Sequence, residues 1–269
     1  MPALRPAAVR SFAVVAITVC QACSTATQHS VFPPSVVADS ISGFVQDPAS
    51  IETVRSRGIR YDEATGNFSA VVAVSVRDRV RGATYDSRGG LAVRRPDRVR
   101  MQLVAAGGIT AVDLLVRAPD VWLRLAGGGW SRTLLDAPAQ GRFSPGMLAR
   151  AFLGFVWARA SAVRIVGALA VVRTDGGGRR TEITLETRDG TTREVRWWAA
   201  GRERMRVRFA DFDAARGTPR FARTILFWQA EPAVTGTVRV EQHAMTPELP
   251  VSTFAEPIEG YVEAASGSP

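Results

Sequence analysis

The sequence predicts a mainly β protein, in which a large antiparallel sheet curls into an unclosed half-barrel under a lid of a few helices. Three observations predict this fold. Apolar and polar residues alternate over many short segments, Gly- or Pro-containing turns separate these segments, and helical spacing appears in only two regions. An antiparallel sheet of ten or eleven strands must curl, close or split. With its apolar face inward, such a sheet would enclose an apolar cavity.

The chain begins with the features of an export signal, predicted over residues 1–22. Arg5 and Arg10 form a basic start, residues 12–19 are an apolar run, and Ala22 precedes Cys23. The run is too short to cross a bilayer, which takes about 20 apolar residues. We therefore expect a signal peptide for export and not a transmembrane helix.

Cys23 follows the predicted cleavage point, and this junction resembles the lipobox of bacterial lipoproteins. The resemblance implies that Cys23 receives a diacylglycerol and an amide-linked acyl chain such as palmitate, with no other cofactor. Ala22 fits that pattern, whereas Cys20 stands where leucine is usual. Ser24, where an Asp would imply retention in the inner membrane, implies a lipid anchor on the periplasmic face of the outer membrane. An ordinary cleaved secretory signal remains the alternative.

The cysteine and arginine content of the chain limits which disulfides and binding partners can be expected. Both cysteines lie at or before position 23, so the folded part has no disulfide. The formal charge is +9 and every basic residue apart from the two histidines is arginine. The arginines are spread along the chain and not clustered, which argues against nucleic acid as a partner of an exported protein. A basic surface that lies against anionic lipid headgroups remains an alternative.

The predicted domain organisation is simple. A tether at residues 23–34 leads into one domain at residues 35–262, and a disordered tail follows at 263–269. Apolar spacing predicts two short helices within residues 35–58, the second entered at Asp47 with Pro48 in its first turn. Residues 61–66 are rich in turn formers and are predicted as a connector. A lid helix is predicted to start at Ser144 and run to about Trp157.

Strands are predicted where apolar residues recur at every second position. The alternating segments lie around 70–76, 99–103, 112–116, 121–125, 163–172, 183–185, 194–198, 205–209, 221–228 and 234–242.

Part of the order and spacing of these strands is similar to the LolA/LolB lipoprotein-carrier superfamily. The similarity lies in the strand at 95–103, a loop with Gly107 and Gly108, the strands at 112–116 and 119–125, and the closing segment at 245–254. The resemblance implies an unclosed barrel with a helical lid that holds acyl chains. Since the receptor branch of that superfamily is itself lipid-anchored, Cys23 favours that branch.

The inward positions define the predicted site. The expected acyl-chain cavity is lined by Met101, Leu103, Leu114, Val116, Phe152, Phe155, Val156, Met205, Val207 and Phe209. The resemblance also implies a membrane-contact loop at Gly107, Gly108 and Ile109, whose alternative is that Ile109 faces the core. Trp157 and Trp130 are further candidates for acyl contact. A register error of one residue would exchange each strand residue for its neighbour.

Three functions are considered in view of these sequence features. The first is an outer-membrane-anchored protein that binds acyl chains of lipids or lipoproteins, in lipoprotein localisation or lipid transfer, with a periplasmic carrier or envelope protein as partner. The second is a structural lipoprotein subunit of an envelope assembly, with a filled core and a docked protein. The third, an exported hydrolase, is disfavoured because no nucleophile elbow, metal-binding HExxH or phosphate loop occurs, and we expect no enzyme and no metal site.

Overall fold

The computed structural model describes residues 32–37, 43–135, 149, 152–153, 157–176, 178–213, 220–231, 233–245, 248–256 and 261–263. These residues form one sheet of fourteen strands, one α-helix and two short 3₁₀ helices. The two outermost strands of the sheet are not paired with each other, so the sheet is an unclosed half-barrel. The predicted fold class is confirmed. Within the described residues, no helix has both the length and the apolarity needed to span a membrane.

The strands follow one another along the chain with short connections. Their bounds are β1 Asn67–Asp78, β2 Ala83–Arg94, β3 Arg98–Val104, β4 Thr110–Arg117, β5 Asp120–Leu125, β6 Trp130–Leu134, β7 Ala160–Val166, β8 Leu169–Gly176, β9 Arg179–Glu186, β10 Thr192–Ala199, β11 Arg202–Phe212, β12 Ala222–Gln229, β13 Val234–Met245 and β14 Tyr261–Glu263.

The sheet consists of two meanders joined in the middle. Its order is β14-β6-β5-β4-β3-β2-β1-β13-β12-β11-β10-β9-β8-β7, and every pair is antiparallel except β14 with β6. The joint is the pairing of β1 with β13, where Val72 lies opposite Val240 and Val74 opposite Val238. This long-range pairing places the two halves side by side and makes one continuous inner face.

The helix α1, Pro48–Ala64, packs against β7 and β8. Its start is as the sequence predicts: Asp47 accepts a hydrogen bond from the backbone N–H of Ser50 at 2.8 Å, and Pro48 occupies the first turn. At the other end, the Thr65 hydroxyl donates to the Tyr61 carbonyl at 2.8 Å. The helix therefore runs through most of the segment that was predicted as a connector, and that prediction is wrong.

Other differences from the sequence prediction are local. β2 and β6 were not predicted, because β2 is polar and contains Gly89 and Gly90, and β6 is only five residues long. The segment predicted as one strand over 163–172 is the hairpin β7–β8. Residues 35–37 are not helical, and 38–42 lie outside the described residues. Glu263, predicted as the start of a disordered tail, ends β14, and 264–269 lie outside the described residues.

Candidate functional site

The inner face of the half-barrel carries a large apolar cluster. Eight strands, β1 to β5 and β11 to β13, contribute side chains to it. Its largest fully buried members include Phe68, Leu91, Leu114, Met205 and Phe227. Because the inward side chains of neighbouring strands lie directly opposite one another, the cluster is continuous across the β1–β13 joint.

Most of the predicted cavity residues meet in this cluster. Met101, Leu103, Leu114, Val116, Met205, Val207 and Phe152 are buried in it, and the half-buried Phe209 packs against it. The predicted alternation therefore placed these strand residues on the correct face. Phe155 and Val156, like the predicted anchor Cys23, lie outside the described residues. Leu91 and Val93 also belong to the face and were missed together with β2.

Helical residues cover the inner face. Ala149, Phe152 and Leu153 are helical and are buried in the same cluster as the strands. Phe152 and Leu153 are 4% and 3% exposed. The described part of the predicted lid helix thus lies on the apolar face, as the wide apolar stripe of that segment predicted.

A largely buried ion pair fixes this covering segment to α1 and to the sheet. Arg95, after the end of β2, donates from Nε to the Phe152 carbonyl oxygen at 2.8 Å. The same guanidinium donates from Nη1 to Oδ1 of Asp62 in α1 at 2.8 Å. Asp62 also accepts, through Oδ2, the indole N–H of Trp157 at 2.7 Å. The Asp62 carboxylate therefore joins α1 to Arg95, which holds Phe152, and to Trp157, which follows the covering residues.

Two further apolar clusters are present, one on the inner face of β7 to β10 and one on the outer face of the sheet. Trp157 packs with Val54 of α1 and with inward residues of β7 to β10. Trp130 packs with Leu115, Trp122 and Phe254 on the opposite, outer face of the sheet. Neither tryptophan belongs to the large inner-face cluster. Trp130, a predicted candidate for acyl contact, instead packs on the outer face beneath Arg100 and Arg124.

The hairpin between β3 and β4 carries the predicted membrane-contact loop. Gly107, Gly108 and Ile109 are exposed, and Ile109 has 59% of its surface accessible. The alternative in which Ile109 faces the core is therefore wrong. The strand pairings bring further exposed apolar side chains to the same end of the sheet, namely Val80, Tyr85, Val104 and Leu125.

The outer face is polar and receives the N-terminal segment. Glu194 of β10 is fully buried there and accepts hydrogen bonds from the Ser35 hydroxyl at 2.5 Å and from the Val36 N–H at 3.3 Å. Burial raises the pKa of Glu194 above its ordinary value, although these bonds oppose the rise. Arg208 of β11 donates to the Pro34 carbonyl. The chain therefore approaches the domain along the outer face.

Two clefts are lined by described residues that do not belong to the inner-face cluster. One, of about 250 Å³, lies on the outer face between Phe32, Pro33 and residues of β1, β12 and β13. The other, of about 370 Å³, lies between the C-terminal half of α1 and the β9–β10 turn. Among the described residues, no group of three or more His, Cys, Asp or Glu side chains could hold a metal ion.

Comparison with solved structures identifies the architecture. A LolA-superfamily protein from Nitrosomonas europaea matches with a TM-score of 0.58 and 14% identity, over 77% of this chain and 97% of that chain. A putative outer-membrane lipoprotein-sorting protein domain from Vibrio parahaemolyticus matches with a TM-score of 0.53 and 15% identity, over 76% and 95%. The chain has a LolA/LolB-like fold.

A third structure agrees with this assignment. A DUF1329-family protein from Desulfovibrio piger matches the LolA/LolB-like sheet with a TM-score of 0.55 and 8% identity, over 76% of this chain and 97% of that chain. No protein-family model and no curated protein matches at the level of sequence. The likeness is therefore one of fold.

Proposed function

We propose that this protein is an outer-membrane-anchored lipoprotein that binds acyl chains of lipids or lipoproteins along its inner face. It would act in lipoprotein localisation or lipid transfer. The observation that carries the proposal is the continuous apolar surface of eight strands, covered by Ala149, Phe152 and Leu153. A covering that is built from a few side chains can be replaced by an acyl chain of similar apolar character.

The proposed mechanism needs no catalytic step. Burial of apolar surface is worth about 25 cal/mol per Å². An acyl chain that takes the place of Phe152 and Leu153 restores most of the contacts that the face loses when these side chains move. Transfer between two such apolar sites is then nearly neutral in free energy, and its direction follows from the difference in affinity between donor and acceptor.

The anchor is proposed to be a diacylglycerol on Cys23 with an amide-linked acyl chain. Two or more acyl chains hold a protein stably on a membrane. The docking of Pro34 and Ser35 supports this proposal, because these residues, which are close in sequence to Cys23, lie on the face opposite the proposed acyl-binding surface. The fold of the Vibrio parahaemolyticus sorting domain supports a location in the envelope.

The exposed apolar end of the sheet is proposed to meet the membrane. Ile109, Val80 and Leu125 expose more than half of their surface at this end. Side chains of this kind gain free energy when they enter the acyl region of a bilayer. Contact at this end would bring one open end of the half-barrel to the membrane, where an acyl chain can leave without crossing water.

A specific observation favours the alternative, a structural subunit of an envelope assembly with a filled core. The predicted cavity residues Met101, Leu103, Leu114, Val116, Met205 and Val207 are at most 5% exposed, so other side chains of the protein already cover them. In that case a partner, such as a periplasmic carrier or envelope protein, would dock on the outside of the domain.

Native mass spectrometry with lipid extraction separates these two functions. We would use the full chain with Cys23→Ser, which removes the site of lipid attachment. The acyl-binding function predicts co-purified phospholipid or lipoprotein acyl chains, which are lost in Phe209→Glu. Phe209 is half-buried at the margin of the face, so this change tests the face with less damage than a change at a fully buried position.

Val251→Glu is the matched control, since Val251 is 72% exposed and lies outside the inner-face cluster. It should retain bound lipid. A protein free of lipid that also fails to take up a fluorescent fatty acid would reject acyl binding and leave the structural subunit as the better function.

A further inference from the structure

The larger described cavity is a cleft lined mainly by arginine. It lies where the last turns of α1 face the β9–β10 turn and Arg220, two residues before β12, and its volume is about 370 Å³. This volume is within the range of small-molecule sites, about 300–1,000 Å³. Its polar lining is formed by Arg57, Arg60, Arg188, Asp189, Thr191 and Arg220.

One arginine of the cleft belongs to a charge cluster that remains positive. Arg220 pairs with Glu186 through Nη1, at 3.1 Å from Oε1 and 3.0 Å from Oε2. Arg193 of β10 pairs with the same carboxylate. Because Glu186 is shared by two guanidinium groups, one positive charge in this cluster is not neutralised.

The other arginines of the cleft have no carboxylate partner among the ion pairs of the described residues. Arg57 donates to the Thr187 carbonyl, and Arg60 donates from Nε to the Ser56 carbonyl at 3.3 Å. A carbonyl is neutral, so it orients a guanidinium without cancelling its charge. Arg188 is exposed on the β9–β10 turn and forms no ion pair with another described residue.

The charge of the cleft is therefore unbalanced. Five arginines, the four of the lining and Arg193, face the two carboxylates Glu186 and Asp189. An excess of positive charge in a concave site attracts anions, and guanidinium groups match the geometry of phosphate and carboxylate oxygens in particular. An acidic ligand would complete this arrangement.

Direct packing between backbone segments holds the cleft in shape. A Cβ atom at Gly190 would lie 2.3 Å from the Arg57 carbonyl oxygen, so only glycine lets the β9–β10 turn contact α1 this closely. The Tyr61 hydroxyl donates to the Arg220 carbonyl at 2.8 Å. The Thr191 N–H donates to Asp189 Oδ1 at 2.9 Å and fixes the turn. The arginines are thus carried by segments that are fixed to one another.

The cleft adjoins the apolar inner face. Phe221, the residue after Arg220, is buried in the inner-face cluster, and its ring meets that of Phe68 with 4.7 Å between centroids. Consecutive residues therefore belong to the charged cleft and to the apolar face. An amphipathic ligand could place its charged group among the arginines and its chains against the face.

We propose that this cleft binds the phosphate group of a lipid whose acyl chains lie on the inner face. The inference rests on the proposed acyl-binding function for its lipid part, whereas the recognition of phosphate rests on the cleft alone. The cleft selects lipids with a phosphodiester headgroup and distinguishes them from neutral acyl lipids by charge.

The test compares two pairs of substitutions in the full chain with Cys23→Ser. Arg60→Gln with Arg188→Gln removes two exposed cleft arginines that hold no ion pair. Arg79→Gln with Arg202→Gln removes the same charge from exposed positions elsewhere. Calorimetric titration with inorganic phosphate, dihexanoylphosphatidylglycerol and neutral dihexanoylglycerol then measures the anion and acyl contributions separately.

We expect the cleft pair to bind phosphate and dihexanoylphosphatidylglycerol about tenfold more weakly, as the loss of a charge-assisted contact implies. The control pair should stay within about twofold, because exposed distant charges are screened by salt. Neutral dihexanoylglycerol should bind equally to all three proteins. Its binding to the unsubstituted chain tests the proposed acyl function independently of the cleft.

Two results would overturn the inference. Equal affinity of the cleft pair and the unsubstituted chain for dihexanoylphosphatidylglycerol would reject the cleft, whatever the neutral lipid does. In the second result, the cleft pair loses phosphate binding, no protein binds dihexanoylglycerol, and the phospholipid binds no more tightly than phosphate. This result would reject a lipid as the ligand. It would leave a site for free phosphate and remove the acyl function as well.

Discussion

The indole ring of Trp157 lies against the backbone of Gly58 in α1. A Cβ atom at position 58 would come within 2.4 Å of two ring atoms, Cζ2 and Cη2. The same indole donates its N–H to Asp62 one turn further along the helix. Contact and hydrogen bond together fix the chain that follows the covering residues onto α1.

Gly58→Ala should therefore lower stability, although alanine is the better helix former by about 1 kcal/mol. The new methyl group overlaps a buried ring, and overpacking of this kind costs about 1–3 kcal/mol. Urea unfolding would measure the change. Thr53→Ala, on the exposed side of the same helix, is the control and should stay within about 0.5 kcal/mol. Equal stability of Gly58→Ala and the parent would contradict the tight contact.

Arg95→Met should lower the free energy of unfolding by about 2–4 kcal/mol. Arg95 and Asp62 are only 15% and 14% exposed, and removing one partner leaves the other charge buried without its counter-ion. Arg98→Met is the control. The ion pair between Arg98 and Asp97 spans 3.7 Å and is more exposed. Its removal should lower the free energy of unfolding by only about 0–1 kcal/mol. If the two variants lost similar amounts of unfolding free energy in urea, the Arg95–Asp62 pair would contribute no more to stability than an exposed pair does.

Glu194→Gln should change how stability depends on pH. Since burial raises the pKa of Glu194 in the folded state, its contribution to stability is present below the ordinary value of 4.5 and is lost as pH rises through the folded pKa. The variant should therefore gain stability relative to the parent over the pH range that begins near 4.5 and extends upward through the folded pKa. Urea unfolding across this range measures the difference, and a constant difference would contradict the raised pKa.

Glu203→Gln supplies a control of opposite sign. Burial alone would raise the pKa of Glu203, but hydrogen bonds from Arg206 and Arg196 hold it below its ordinary value. Its contribution to stability is present above 4.5 and is lost as pH falls through the folded pKa. Glu203→Gln should thus lose stability relative to the parent as pH rises.

Ile109→Asp should weaken the binding of the full chain with Cys23→Ser to anionic phospholipid vesicles by about tenfold, since it removes one large apolar side chain from the exposed end. Vesicle sedimentation would measure the effect. Val251→Asp, at an exposed site outside that end of the sheet, should bind as the parent does. Unchanged binding by Ile109→Asp would reject membrane contact at this loop.

Strand faces could be predicted from the sequence because the alternation of β-strands is a local property. The run Met205, Val207 and Phe209 alternates with arginines, and the structure places the first two in the core and the third at its margin. β2 could not be found this way. Its polar residues and glycines have little preference for a strand, and it is held by pairing with β1 on one side and β3 on the other.

The end of α1 was misjudged for a related reason. Residues 61–66 favour turns, but Asp62 is held in the helix by Arg95 and Trp157, which come from distant parts of the chain. Tertiary contacts of this kind override weak local preference. The cleft was invisible for the same reason, since Arg57, Arg188 and Arg220 are far apart in sequence and form no motif.

The sequence by itself determined the mainly β class, most strands, the inward side of each and the start of α1, because periodicity and helix capping depend on neighbouring residues. Only the tertiary structure decided that β1 pairs with β13, that Glu194 receives Ser35, and that the arginines of the cleft converge beside Phe221. These relationships join residues more than a hundred positions apart. They depend on how the whole sheet curls, which no local pattern contains.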